Sequence, residues 1–245
     1  MALTKITTGV IADGAIPSTG IADVTYYTSS TTWTKSTRES ALGVTLKKVI
    51  VEVIGAGGGG GGGRSNSIYD MGAPGGTSGA YCMKVIDVTS IASATITIGA
   101  LGSGGAVNGA GSDGGSSSWA DGTNTLTANG GKGGAAGQND IATLATSVTA
   151  SGGDINVGAG HAKCGEVASS GGNSSYGALG GDGGTHTKAP GGPGVGIGFG
   201  STGDSAAKDA IGYGHGGGGC SYSNSDDRTG GDGAPGLVIV TEIAG

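Results

Sequence analysis

The sequence predicts an all-β fold with irregular parts: short β-strands bracketing a glycine-rich bundle of polyglycine II helices arranged as a sandwich, with no significant α-helix. Three observations predict it. The alternating apolar segment Lys48-Val49-Ile50-Val51-Glu52-Val53-Ile54 runs without a break into Gly55-Ala56-Gly57-Gly58-Gly59-Gly60-Gly61-Gly62-Gly63. A matching segment, Leu237-Val238-Ile239-Val240-Thr241-Glu242-Ile243, follows Gly230-Gly231-Asp232-Gly233-Ala234-Pro235-Gly236 near the other end. Much of the remaining content of the 60 glycines in 245 residues lies between the two. A linker has no reason to be bracketed by matched strands, which are expected to pair and close the domain.

Glycine loses the most conformational freedom on folding, so composition alone points to disorder. The opposing consideration is close approach. A polyproline II backbone makes no internal hydrogen bonds, and its N–H and C=O groups point sideways. Where side chains are absent, neighbouring helices can come near enough to bond laterally, each bond contributing about 1 kcal/mol net. Seven such residues span roughly 22 Å, a domain's depth. Collagen is excluded, because no Gly-X-Y period runs through the chain. With one Phe, two Trp and seven Tyr, a large conventional core is not expected.

Taken in order, residues 1–24 form an attachment or oligomerisation arm of spaced aliphatics, in which Ile11-Ala12-Asp13 is echoed by Ile21-Ala22-Asp23. Residues 25–245 form the glycine-rich domain. β-Branched and aromatic residues make 25–35 a strand, 36–45 reads as a turn or loop, and Leu46–Ile54 alternates with Val49, Val51 and Val53 on one face. Ala80–Val88 and Ala94–Ile98 are the next strands, with a turn over Asp87–Ser93. Glycine stretches and islands then alternate to Gly219. Ile141–Ala145, in the longest island, fits a short helix or a strand. Gly114-Gly115-Ser116-Ser117-Ser118-Trp119 and Gly171-Gly172-Asn173-Ser174-Ser175-Tyr176 form a weak repeat.

A net charge of −6 with only 12 Lys and Arg argues against nucleic acid as a partner. No apolar stretch approaches the length of a membrane span, so no membrane insertion is expected, and Met1–Lys5 lacks a secretory h-region. Cys82, Cys164 and Cys220 are too few for a disulfide framework and are expected to be reduced.

Enzyme signatures are missing: Gly63-Arg64-Ser65 lacks the lysine of a phosphate loop, and Gly76-Thr77-Ser78-Gly79 has the wrong spacing for a nucleophile elbow. His161 with Cys164 and His215 with Cys220 could in principle ligate zinc, but chance proximity is the simpler reading, and no metal or cofactor is expected. Gly-Gly-Asp-Gly at 180–183 and 230–233 lacks the tandem array of calcium-binding repeats. The islands place Tyr69, Asp70, Trp119, Tyr176, Tyr213, Tyr222, Asp226 and Asp227 among tiny residues, and such rings and carboxylates suit recognition of sugars or protein loops. For Trp119 and Tyr176 the competing reading, capping of glycine helices, is the stronger. Tyr69 and Tyr222 favour binding.

Thr31-Thr32-Trp33-Thr34-Lys35, Val49 to Gly59, Gly79-Ala80-Tyr81 to Val88, Ala94 to Gly99, and Gly233-Ala234-Pro235-Gly236-Leu237 to Val240 resemble, in that order, the glycine-rich domain of phage tail-fibre proteins. Ala2 to Gly14 is similar to the start of marine and cyanophage fibre proteins. The resemblance implies a non-enzymatic adhesin that binds a host surface receptor, an outer-membrane protein or a glycan, through loops at one end of a polyglycine II sandwich. It also implies a homotrimer, or docking on one, contacts to other virion proteins through the arm, synthesis in the host cytoplasm, and a virion location reached by lysis. The alternatives are a structural glycine-rich fibre without a receptor and an ice-binding protein. The irregular islands argue against the latter.

Overall fold

The computed structural model describes residues 20–65, 70–137, 148–164, 167–168, 180–186, 188, 191–192, 194, 207–220 and 229–245. Its base is a sandwich of two antiparallel sheets. The first has the order β1 (Gly20–Tyr27), β15 (Leu237–Ala244), β3 (Leu46–Ile54), β6 (Tyr81–Asp87) and β11 (Ile155–Val157). The second has the order β10 (Ala150–Ser151), β9 (Thr125–Ala128), β8 (Ser117–Ala120), β7 (Ser93–Thr97) and β2 (Thr31–Thr34). The bracketing strands pair as expected, with β15 beside β3 from Leu237↔Ile54 to Ile243↔Lys48. Alternation sends Val49, Val51 and Val53 inward with Val238 and Val240, where they meet Trp33, Ile96, Trp119 and Leu126 of the second sheet. The two indoles are tilted against each other at 5.4 Å. This core is small, as the scarcity of aromatics requires.

Residues 36–45, expected as a turn or loop, instead contain the one described helix, α1 (Lys35–Leu42). Arg38, Glu39, Ala41 and Leu42 are adequate helix formers, and Gly43 ends the helix in the left-handed conformation (φ 67°), its N–H bonded to Glu39 O. The helix positions Arg38 over Glu242, whose side chain is fully buried. Arg38 Nε and Nη2 bond the Glu242 carboxylate at 2.8 and 2.7 Å, Trp33 Nε1 donates to the same group at 2.8 Å, and Arg38 also pairs with Asp23. β1, at the edge of the first sheet, spans the expected boundary between residues 24 and 25 and pairs with β15 from Gly20↔Ala244 to Tyr27↔Val238.

Above the sandwich the strands continue as glycine rods. Gly55–Gly63 is the central one, and its hydrogen bonds repeat every three residues. Its N–H groups donate to three antiparallel rods: Gly55, Gly58 and Gly61 to Ala80, Thr77 and Pro74; Ala56, Gly59 and Gly62 to Gly115, Ser112 and Gly109; Gly57 and Gly60 to Ala234 and Gly231. Its carbonyls accept from three parallel rods: Gly57 and Gly60 from Gly102 and Gly105; Ala56, Gly59 and Gly62 from Gly131, Gly134 and Gly137; Gly58 and Gly61 from Gly217 and Cys220. Six neighbours around a helix of three residues per turn form a hexagonal array. None of these central glycines has a positive φ, so the missing Cβ, not left-handed freedom, is what they contribute.

The outer rods bond to one another in the same way, as in Gly76 N to Gly217 O (2.9 Å) and Gly111 N to Gly134 O (2.8 Å). Gly72–Ala80 and Gly214–Cys220 are buried throughout, whereas two marginal rods have a partly exposed side on which every third residue carries a side chain. Asn129-Gly130-Gly131-Lys132-Gly133-Gly134 and Gly180-Gly181-Asp182-Gly183-Gly184-Thr185 follow this rule. Adjacent rods are tied across this surface by Lys132–Asp113 and Lys163–Asp182 pairs. In the Gly-Gly-Asp-Gly segments, Asp232 accepts from Gly104 N, and Asp182 pairs with Lys163.

Three stability outcomes follow. A Cβ on Gly60 would lie 1.9 Å from Gly218 O, so Gly60→Val should prevent folding or cost more than about 4 kcal/mol. Gly122→Ala, where φ is +89° but nothing lies within 4 Å, should cost only about 1–2 kcal/mol. Circular dichroism melts of the two variants check this. Arg38→Ala strands the Glu242 carboxylate inside the sandwich and should cost about 3–5 kcal/mol; denaturant titration measures it.

Candidate functional site

The rods define two ends. At the end remote from the sandwich, the Ala106–Gly109 turn lies level with Gly63, Ala73 bonds Cys220, and Gly230 bonds Gly105. A three-stranded ribbon sits there: β4 (Arg64–Ser65), β5 (Asp70–Met71) and β12 (Val167–Ala168), with Arg64↔Met71 and Val167↔Met71 in register. Asp70 is thus held on the central strand of the ribbon. Short pairing fixes it because the neighbouring rods bring residues 64, 71 and 167 to one level.

Tyr69, Tyr176, Tyr222, Asp226 and Asp227 lie outside the described residues, as do Ile141–Ala145 and the second copy of the Gly-Gly-x-Ser-Ser repeat. The described residues flanking Tyr69 and the 221–228 segment, namely Ser65, Asp70, Cys220 and Thr229, end at this remote face.

Two candidates are elsewhere. Trp119 is fully buried on β8, inside the sandwich core, with its Nε1 donating to Asp121 Oδ2 at 3.1 Å. Its ring is wholly buried and packs against Trp33. Alternation along β8 explains this: Ser117 and Trp119 point inward and Ser118 and Ala120 do not. Tyr213 is half-buried at the opposite, sandwich end of its rod, packed on Ile54, Tyr81 and Leu237. The sequence places it next to Gly214 but does not say which end of the rod that is.

The structure adds a site that the sequence reading missed. A cavity of about 440 Å³ lies where the outer face of the first sheet meets the rods. Tyr81, Met83, Ile155 and Val157 form its apolar wall, and Thr185, His186 and Lys188 its polar one. Tyr81 Oη donates to Glu52 at 2.5 Å. Burial first, then that bond, pushes the phenol upward.

His186 Nδ1 accepts from Lys188 N at 3.1 Å, and His186 N donates to His215 Nδ1 at 3.0 Å. Burial, followed by the nearby His215, depresses His186 to about 4, so the ring is neutral at pH 7. The available signal in the sequence is a bulky residue, His186, just beyond the glycine run 180–184. His161, Cys164, His215 and Cys220 do not assemble a site, and among the described residues no group of three His, Cys, Asp or Glu could hold a metal. No described helix is long and apolar enough to cross a membrane.

The family model described as a glycine-rich domain matches residues 31–242. That range runs from β2 into β15, taking in the whole second sheet and the described rods and leaving out β1. None of the curated proteins compared with the chain matches it.

The buried imidazole gives a pH dependence. The unfolded chain takes up the His186 proton near its ordinary value of 6.5, whereas the folded chain resists until about 4. Stability should therefore be complete above about pH 6.5 and fall towards pH 4, by on the order of 3 kcal/mol. Asp23, Asp87 and Asp154 are held low mainly by bonds from Thr25, Thr89 and Lys84, so their contribution is lost only below the ordinary carboxylate value of 3.8. Urea melts from pH 7 to 4 should show the upper slope in the parent chain and lose it in His186→Gln.

Proposed function

We propose that this chain, which belongs to the glycine-rich domain family, is a non-enzymatic receptor-binding protein of a bacteriophage tail fibre. The observation that carries the reading is the division of labour between the two ends. Strand hydrogen bonds and a small apolar core close one end, and laterally bonded rods hold the chain rigid for the depth of the bundle. At the other end stand Ser65, Asp70, Cys220 and Thr229, the described residues that border sequence islands carrying aromatic rings and carboxylates. A backbone core constrains its rods to glycine but leaves the connecting islands free in sequence. This suits a protein that must change its recognition surface without changing its fold. The ordered motifs shared with phage tail-fibre proteins support the same reading. The partner is then a host surface receptor, an outer-membrane protein or a glycan, met by Tyr69, Asp70, Tyr176, Tyr222, Asp226 and Asp227.

Adsorption of purified protein to host cells tests this. Alanine substitutions across 64–71 and 221–229 should each reduce cell binding at least about tenfold while leaving the melting temperature within a few degrees. Tyr213→Ala, at the sandwich end, should leave adsorption unchanged. Normal adsorption by both sets of island variants, or no binding by the parent chain to any host, would instead favour a structural fibre without a receptor.

A further inference from the structure

The first sheet has a second face, turned away from the sandwich. Direct register assigns its rows. Tyr26, Ile239, Glu52, Met83 and Ile155 form one; Val24, Thr241, Ile50 and Val85 the next; Ile21, Ile243, Lys48 and Asp87 the third. Of the eight exposed large hydrophobics among the described residues, six lie on this face: Ile21, Val24, Tyr26, Val85, Ile155 and Val157. Ile21 is 70% and Tyr26 59% exposed. Scattered exposed apolar residues need no explanation, but their gathering on one face of one sheet does.

We infer that this face is a homotypic interface, covered by the same face of a second copy of the chain related by a two-fold axis. The charge pattern selects a second copy over an unrelated partner. β3 is the middle strand of the five, and its outward residues run Lys48, Ile50, Glu52. A two-fold axis through Ile50, perpendicular to the strands, sets Lys48 of each copy against Glu52 of the other. The same operation sets Ile239 against Ile243, Tyr26 against Ile21, and Val24 and Val85 each against its own counterpart. Apolar meets apolar and each central charge meets its opposite, which is the self-complementarity that an isologous contact demands. Only marginal residues depart from this: Asp87 falls opposite Met83, and Ile155 and Val157 of β11 have no counterpart.

The thirteen positions, at about 4.8 Å by 6.7 Å each, cover roughly 400 Å² per copy, or about 800 Å² in total for two copies, the size of a weak, reversible contact. Binding is therefore expected in the micromolar range. Pairing through the sandwich leaves both remote rod ends free. It is independent of whether those ends bind a receptor.

Sedimentation velocity of the full chain from about 1 to 200 μM tests the inference, over a range set by the expected affinity. A reversible dimer of twice the 22.8 kDa chain mass is expected. Lys48→Glu and Ile50→Glu should each raise the dimer dissociation constant at least about tenfold, and the swap Lys48→Glu/Glu52→Lys should return it to within about threefold of the parent. Unchanged circular dichroism keeps these variants interpretable, and Lys48→Glu, on an exposed residue, is the one safest for folding. A monomer throughout, a trimer, or a dimer that ignores Lys48→Glu would overturn the two-fold interface. The last result would mean that another segment joins the copies.

Discussion

Every part of this structure depends on one constraint: a buried backbone N–H or carbonyl must find a partner. In Gly55–Gly63 those partners are six other rods. A helix with three residues per turn sends its N–H groups in three directions and its carbonyls in three others, and the hexagonal array answers all of them. The array exists only if the rods approach until a Cβ would collide with a neighbouring carbonyl, as at Gly57 against His215 O and Gly62 against Ala106 O. The entropy lost by ordering glycine is offset by a lateral bond at almost every residue. Hydrogen bonding here has the structural role that apolar packing has in most domains. The conventional core is correspondingly confined to the sandwich around Trp33 and Trp119.

The sandwich and the rods are mutually dependent. The rods have no side chains with which to choose a register. The strands do, and β3, β6 and β15 pass their register directly into the rods that border them. Arg38 and Glu242 close the base from below, so the one described helix serves the sheet and not the rods. At the junction, bulky groups gather where the strands end and the rods begin. Tyr81, His186 and His215 fill that level, and the cavity beside them is what remains when round side chains meet flat rods.

Much of the fold was legible. The matched strands announced their pairing, and alternation set Val49, Val51 and Val53 of β3 on one face. The unbroken glycine run announced a backbone rod. The candidate site was less legible. Trp119 looked like an island aromatic because it follows glycines and serines, yet those residues are the start of a strand whose alternation turns the indole inward. Tyr213 and Asp70 look alike in sequence, since both border glycine runs. Which end of a rod each occupies depends on the direction of that rod, and direction is set by counting reversals through the whole chain. The helix at 35–42 was missed because eight residues carry too little periodicity to separate a helix from a turn, and because its purpose, covering Glu242, joins positions more than two hundred residues apart.

The sequence by itself determined the materials: apolar alternation for a small sandwich, and glycine at each position where backbones were to touch. These are local properties, written in residue type and spacing. Tertiary structure alone decided that Gly55–Gly63 is surrounded on all sides, that Trp119 lies in the core, Tyr213 at the junction and Asp70 at the remote face, and that one sheet face keeps its apolar side chains in the open. Each of these is a statement about neighbours distant in the chain. In a core built from backbone, the residues that touch carry no side chain to name their partner.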